Sequence, residues 1–218
     1  MDYLRSDEEQ AEALKQWLKK NGTGLAVAIV AGIGGVLGFQ QWQAMSLNKA
    51  ADAAGRYQQI VDASATDFSL PESEPAFQSL LSTAEGLRQA HGDSHYAVLA
   101  AAVVAAQAVE RGEYDLAVSQ LTFAESASDE PELKALMAMR LARLELYLGE
   151  AEAALARVQA IQSQGLDASL TELLGDIYVE LSEPSNARAA YQSARQSLVQ
   201  SGLNTALIDL KLSALPEG

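Results

Sequence analysis

The sequence of 218 residues contains no cysteine, five prolines and two histidines, and aromatic residues make up only 6% of it. The absence of cysteine excludes disulfides, thiolate metal ligands and thiol nucleophiles. Alanine and leucine are abundant instead, and both lose little conformational freedom when they enter a helix. Because few prolines are present to interrupt helices, the composition predicts an all-α protein.

Positive charge is also scarce. The chain has 15 lysines and arginines against 29 aspartates and glutamates, which gives a formal net charge of −14. This excess would repel a phosphate backbone, and no basic stripe is present that could release counterions from it. The composition therefore argues against nucleic acid as a partner, while the length suffices for a membrane segment and one domain.

Residues suited to catalysis are few. The two histidines, His91 and His95, lie in the segment AHGDSHYA. Gly92 and Asp93 between them resemble a helix end followed by an N-cap, which would place the two rings on different helices. No serine lies in a nucleophile elbow. We expect no catalytic residue, no metal site, no cofactor and no enzymatic activity.

The segment ASDEPELKA, residues 127–135, is acidic enough to resemble a binding patch. Helix capping explains the same residues. Ser128 or Asp129 would cap a helix that carries Pro131 and Glu132 in its first turn. We therefore predict a helix start here.

The longest apolar run lies near the beginning of the chain. No charged residue occurs between Thr23 and Phe39, a stretch of roughly 25 Å in a helix, against about 30 Å for a bilayer core. The two tryptophans, Trp17 and Trp42, bracket the run. Their helical separation of roughly 37 Å suits the two interfacial zones of a bilayer. The pattern predicts a transmembrane helix over residues 21–42.

Charge near the ends of this helix predicts its orientation. Lys15, Lys19 and Lys20 lie just before the span, whereas Lys49 is the basic residue close behind it. Basic residues tend to remain in the cytoplasm. The amino terminus is therefore expected in the cytoplasm and the rest of the chain in the periplasm.

Three other interpretations of the apolar run fit less well. Gly32 and Gly34 are followed by Leu37 where a dinucleotide-binding loop needs a third glycine. A removable export signal has a short positive amino-terminal region, whereas the first twenty residues here are acidic as well as basic. A helix buried in a soluble core seldom has lysines and tryptophans at its ends.

Gly34 and Gly38 form a small-xxx-small pair within the run, and Ala28 and Gly32 extend the same face. Such a face lets a second helix approach closely in lipid. The alternative is that glycine and alanine are simply common in membrane spans, and the sequence leaves both open.

The run divides the chain into segments. Residues 1–20 are predicted as an amphipathic cytoplasmic segment with Ser6 as a candidate cap, and residues 43–75 as a connecting helix followed by a polar, proline-containing loop. Residues 76–218 form the predicted periplasmic domain. The apolar positions at helical spacing in the connecting helix are Leu47, Ala51, Ala54, Tyr57 and Val61.

Three segments of the predicted domain align with one another. They begin at Val103, Leu141 and Leu173. Each comprises an apolar helix, a turn and a second helix that carries a small residue. The matched small residues are Ala117, Ala154 and Ala187.

The third segment resembles a tetratricopeptide repeat most fully. Its signature positions are Leu174, Gly175, Tyr178, Ala187, Tyr191 and Ala194. The middle segment matches at Leu141, Ala142, Gly149 and Ala154. However, Glu145 and Val158 stand there where the family has aromatic residues, and the first segment has Ala108 and Leu121 at these places. The resemblance implies a solenoid of helical hairpins, in which small residues let helices cross closely and large ones fill the grooves beside them; the alternative is a generic amphipathic bundle.

The whole chain resembles the YfgM family, ancillary subunits of the bacterial SecYEG translocon. The resemblance includes the segments EEQAEALKQWLKKNG and RGEYDLAVSQL. It implies a single-pass inner-membrane protein with a tetratricopeptide-like periplasmic domain. It also implies association with the SecYEG translocon, with a membrane-anchored periplasmic chaperone of the PpiD type and with newly exported client proteins.

Stacked helical pairs offer a long surface that binds segments of other proteins. We therefore expect a membrane-anchored protein-binding scaffold that links the export channel to chaperones. The alternative is an envelope-assembly or cell-division adaptor with the same architecture and no export role.

Overall fold

The computed structural model describes residues 7–161 and 166–216. Within these ranges the chain forms nine α-helices and one short 3-10 helix, Pro71–Ser73, and contains no strand. This confirms the predicted all-α fold. The helices are α1 (Asp7–Ala63), α2 (Glu74–His91), α3 (His95–Glu110), α4 (Tyr114–Ala127), α5 (Pro131–Tyr147), α6 (Ala151–Ala160), α7 (Asp167–Glu180), α8 (Pro184–Gln200) and α9 (Ala206–Ala214).

The chain separates into two compact units, Met1–Ala51 and Asp52–Gly218. The first unit contains the apolar part of α1, which is long and apolar enough to cross a membrane. Its large apolar side chains are exposed, for example Val30 at 71% and Phe39 at 61%. An apolar helix that is exposed all round requires a covering of lipid or protein.

Helix α1 joins segments that were predicted separately. Residues 7–20 of the amphipathic segment, the predicted span and the connecting helix all belong to this one helix. The candidate cap Ser6 lies outside the described residues. The boundaries at residues 20 and 42 stay predictions, because no helix end marks them.

The last turns of α1 contribute to the core of the second unit. Ala53 and Ile60 are buried at 1% and 0% exposure, in one cluster with residues of α2 and α3. Tyr57 packs against that cluster, whereas Leu47 is 64% exposed. The apolar stripe that continues from the membrane segment therefore differs from the stripe that enters the core.

The three predicted hairpins are present as α3/α4, α5/α6 and α7/α8. Small side chains lie fully buried where the two helices of each pair cross; these are Ala117, Ala154 and Ala187, each 0% exposed. A larger side chain four residues later is also buried in every hairpin; these are Leu121, Val158 and Tyr191. The small-and-large pattern seen in the sequence is thus the packing rule of the array.

Each hairpin turn uses one residue with a left-handed backbone: Gly112 (φ +75°), Gly149 (φ +82°) and Ser182 (φ +58°). The next residue is a glutamate whose backbone N–H donates to a carbonyl five positions earlier, as in a Schellman cap; these bonds are Glu113 to Ala108 (2.8 Å), Glu150 to Glu145 (2.9 Å) and Glu183 to Tyr178 (2.8 Å). Gly149 was grouped with the residues that pack between helices. It is exposed, and a Cβ there would meet nothing within 4 Å, so it serves the turn instead.

Two capping assignments need correction. The N-cap of α3 is Ser94, not Asp93, because the Ser94 hydroxyl accepts from the Ala97 N–H at 3.2 Å. The N-cap position of α5 is Glu130, and no side chain caps that helix. Ser128 instead donates its hydroxyl to the Glu130 carbonyl at 3.2 Å. The helix itself begins at Pro131, where the sequence predicts its first turn.

Candidate binding groove

Gly175 on α7 lies close against Tyr191 on α8. A Cβ on Gly175 would overlap three carbons of the Tyr191 ring. The ring is 3% exposed, and its hydroxyl donates to Asp176 Oδ1 at 2.7 Å. Burial, and then the bond to Asp176, raise the pKa of Tyr191 well above its ordinary value. The structure therefore joins these predicted repeat-packing residues in one contact.

The other predicted packing residues of the third repeat lie around this pair. Ala194 is fully buried and belongs to the same cluster as Tyr191. Tyr178 packs against that cluster from the side, and Leu174 packs against the neighbouring cluster of α5, α6 and α7.

A lysine on α9 completes the polar contacts of this region. Lys211 Nζ donates to Asp176 Oδ1 and to Glu172 Oε1, each at 2.7 Å. Burial lowers the pKa of Lys211, but the bonds to the two carboxylates outweigh it and the net pKa is raised. The lysine therefore stays charged and ties α9 to α7.

The array contains two grooves of the same construction. One lies between α2 and α4 with α3 as its floor, and the other lies between α4 and α6 with α5 as its floor. The α2/α4 groove encloses about 150 Å³, and its lining includes Leu81, Arg88, Ala101, Leu116, Gln120 and Phe123. The α4/α6 groove encloses about 580 Å³, and its lining includes Glu125, Ala138, Glu145, Ala153, Arg157 and Ala160.

Side-chain size accounts for the difference in volume. The register that matches Ala117 with Ala154 also matches Leu116 with Ala153 and Phe123 with Ala160. In the α2/α4 groove these large side chains occupy the space, and the Arg88 guanidinium lies 5.2 Å from the centroid of the Phe123 ring. In the α4/α6 groove both matched residues are alanines, whose side chains are single methyl groups, so the groove stays open.

Four charged residues line the α4/α6 groove, and three of them, Glu125, Glu145 and Arg157, are joined by ion pairs. Arg157 donates through Nε to both oxygens of Glu145 at 3.0 Å and through Nη2 to Oε1 at 2.7 Å. Its Nη1 donates to Glu125 Oε2 at 2.7 Å. The side chains of Glu145, Glu125 and Arg157 are 10%, 24% and 28% exposed. Glu145 thus stands at the aromatic position of the middle repeat, where it pairs with Arg157. Its side chain leaves more space in the groove than an aromatic ring would.

The bond to Glu145 raises the pKa of Arg157 above its ordinary value, so the guanidinium remains charged. Apart from Lys134 the rest of the lining is apolar, and most of it is alanine: Ala135, Ala138, Ala153, Ala156 and Ala160. An open, mostly apolar groove with a few fixed polar groups has the general character of a binding site.

The two histidines lie on different helices, as predicted. His91 Nε2 is 2.7 Å from Asp52 Oδ2, and His95 Nδ1 is 3.1 Å from Glu130 Oε1. The bond from His91 lowers the pKa of Asp52. Among the described residues no group of three or more histidines and carboxylates is placed to hold a metal ion.

The predicted membrane-flanking residues Trp17, Lys19, Lys20 and Trp42 are all exposed on α1. Gly34 and Gly38 are exposed as well, with open space around the position of a Cβ. Their roles at the bilayer surface and in helix packing within the membrane stay predictions.

Sequence reasoning missed the α4/α6 groove, although it noted Glu145 as a departure from the repeat pattern. A signal was present. Comparing the first and second repeats position by position shows the loss of bulk at Ala153 and Ala160, and this loss is what opens the groove.

Known proteins resemble the chain over its full length. It is 28% identical to an ancillary SecYEG translocon subunit of Escherichia coli (strain K12), over 99% of both chains. A subunit of the same name from Haemophilus influenzae is also 28% identical, over 99% of this chain and 100% of the relative. A third, from Neisseria gonorrhoeae, is 24% identical over 96% and 97%.

These matches confirm the resemblance found in the sequence. A family model for the tetratricopeptide repeat-like domain matches residues 15–217, which includes the apolar part of α1 and all the repeat helices. The chain therefore belongs to this tetratricopeptide repeat-like family.

Proposed function

We propose that the protein is a membrane-anchored binding scaffold, ancillary to the SecYEG translocon. The observation that carries this proposal is the full-length match to subunits of that name, over 99% of this chain and of the Escherichia coli relative. The exposed apolar stretch of α1 supplies an anchor, and the helical array supplies surface for other proteins. The function is binding rather than catalysis.

The orientation is part of the proposal. Lys15, Lys19 and Lys20 favour a cytoplasmic amino terminus, which places the repeat domain in the periplasm. The repeat domain is strongly acidic. Residues 52–218 contain 24 of the 29 acidic residues and ten of the 15 basic ones, so they carry the whole net charge of −14.

Single cysteines test the orientation cleanly, because the chain has none of its own. Ala11→Cys lies before the span and Ser126→Cys lies in the repeat domain, and both positions are exposed. In intact spheroplasts, a membrane-impermeant maleimide should label Ser126→Cys, and Ala11→Cys only after lysis. The reverse pattern would overturn the orientation, and labelling of both in a soluble fraction would overturn the anchor.

The proposed partners are the translocon itself, a PpiD-type periplasmic chaperone and exported clients. Contact with the translocon would use the glycine face of α1, where Gly34 and Gly38 leave room for a close neighbour. The repeat domain would hold the chaperone or client near the channel exit.

Photocrosslinking in living cells tests these partners. A photoreactive amino acid at Ala31, beside the glycine face, should trap SecYEG subunits, whereas Ile33 on the opposite face serves as the matched control. The same reagent at Ala156, in the repeat domain, should trap the chaperone or client. Recovery of envelope-assembly proteins alone, with no translocon subunit from any position, would overturn the proposal and favour the adaptor alternative.

A further inference from the structure

The α4/α6 groove has no assigned role, and its geometry points to one. We infer that it receives a large apolar side chain, preferably an aromatic one, from a basic segment of a partner protein. This inference rests on the proposed function, which places the partner protein near the export channel. It adds the surface that is used and the chemistry that is recognised.

The chain itself shows how such a groove is filled. In the α2/α4 groove, Leu116 and Phe123 leave about 150 Å³. In the α4/α6 groove the matched residues, Ala153 and Ala160, leave about 580 Å³, well within the range of roughly 300 to 1,000 Å³ for ligand sites. An apolar side chain from outside would therefore restore the packing that the first repeat supplies internally.

The charges indicate that this side chain belongs to a basic segment. In the α2/α4 groove, Arg88 holds its guanidinium over the Phe123 ring. The position that matches Arg88 is occupied by Glu125, with the opposite charge. A partner that inserts an aromatic ring would thus find a carboxylate where the first groove has its own cation. A lysine or arginine beside the ring would pair with that carboxylate.

The surroundings of the groove favour the same partner. The lining charges balance, since Glu125 and Glu145 face Arg157 and Lys134. However, exposed carboxylates stand beside the lining residue Pro131, and these are Asp129, Glu130 and Glu132. The domain as a whole carries a net charge of −14. A second copy of this chain would be repelled by that charge, whereas a basic segment of a different protein would be attracted.

A peptide of defined composition tests the inference on the full chain in lipid nanodiscs. The probe is a fluorescein-labelled 12-residue peptide with one central phenylalanine and four lysines, and its binding is measured by fluorescence anisotropy. Two matched probes replace the phenylalanine with alanine or the lysines with glutamate. Each matched probe should bind at least tenfold more weakly than the first.

Substitutions in the protein form the second arm. Ala160→Phe supplies the side chain that the first groove already has, and it should weaken binding of the phenylalanine probe at least tenfold. Ala106→Phe, on an exposed face of α3, is the matched control and should change binding less than twofold. The smaller Ala160→Val keeps the test valid if the larger variant does not fold, as judged by circular dichroism, and it should weaken binding about threefold.

Equal binding of the phenylalanine and alanine probes, or equal binding by Ala160→Phe and Ala106→Phe, would overturn the inference. Different outcomes test the proposed function. If the groove binds the probe as described but no translocon subunit is trapped from α1, the partner belongs to another assembly. If translocon subunits are trapped but the groove variants have no effect, only the groove assignment is wrong.

Discussion

Substitution of Gly175 by alanine tests the packing rule of the array at a close contact between two of its helices. A Cβ at this position would overlap the Tyr191 ring. The ring has little freedom to retreat, because it is 3% exposed and its hydroxyl is bonded to Asp176 at 2.7 Å. Lys211 Nζ also lies 5.7 Å from the ring centroid. The added methyl group must therefore displace either the ring or the helix that carries it.

Two opposing effects set the expected magnitude. Overpacking a well-filled core costs about 1 to 3 kcal/mol, and overlap with three ring carbons places Gly175→Ala at the upper end of that range. Alanine is favoured over glycine inside a helix by about 1 kcal/mol. The free energy of unfolding should therefore fall by about 2 kcal/mol. For a domain of this size that corresponds to a loss of roughly 4 to 8 °C in Tm.

Gly55 provides the matched control. It also lies inside a helix, is exposed, and has nothing within 4 Å of the place that a Cβ would take. Gly55→Ala should therefore show the helix preference alone and raise the free energy of unfolding by about 1 kcal/mol. Urea denaturation of the full chain in mild detergent, followed through the helical circular dichroism signal, measures both variants. If Gly175→Ala is stabilising like Gly55→Ala, close packing of Gly175 against Tyr191 is refuted.

Three further predictions concern the turns, the groove and the acid limit of stability. Ser182→Gly should raise the free energy of unfolding by about 1 kcal/mol in urea denaturation, because a left-handed backbone strains a residue with a side chain; no gain would contradict this. Arg157→Met leaves the Glu145 carboxylate unpaired and should lower the free energy of unfolding by about 2 kcal/mol. The double variant Arg157→Met with Glu145→Leu should recover most of this loss. If the losses of the two single variants add up in the double variant, the pairing is contradicted. The bond from His91 lowers the pKa of Asp52 below its ordinary 3.8. The ionised Asp52 carboxylate therefore stabilises the fold above pH 3.8, and this stabilisation is lost as the pH falls through the lowered pKa of Asp52. Asp52→Asn should therefore flatten the acid limb of unfolding measured against pH, and an unchanged limb would speak against this link.

The array was predictable because its packing rule is local in sequence. A small residue such as Ala154 and a larger one four positions later recur in each hairpin, and burial confirms both. The sequence placed helices α2 and α9 in the same domain, but neither belongs to one of the three aligned segments, so their positions in the array were not predicted. Their place depends on contacts with neighbours, such as the ion pairs of Lys211 with Glu172 and Asp176, which lie far away in the sequence.

Capping at α3 illustrates a smaller limit. Asp93 and Ser94 are both good N-caps, and sequence preference does not separate adjacent candidates. The choice depends on which side chain reaches a free N–H, and the Ser94 hydroxyl reaches that of Ala97 at 3.2 Å. The predicted cap was therefore wrong by one residue, although the predicted break between the two helices was correct.

The groove was not predicted, for a different reason. The departure at Glu145 is visible in the sequence, but its meaning depends on Arg157 and Glu125, which lie on α6 and α4. The empty space depends on the absence of bulk at Ala153 and Ala160, and alanine is common throughout this chain. Only the folded arrangement shows that these alanines border one groove.

The most direct test of the central claim is isolation of SecYEG from solubilised membranes through an affinity tag on SecY. The chain should co-purify with the translocon in mild detergent, and a variant that lacks residues 21–42 should be absent from the isolated complex. Full recovery of the intact chain in membranes, without any in the isolated translocon, would contradict the account.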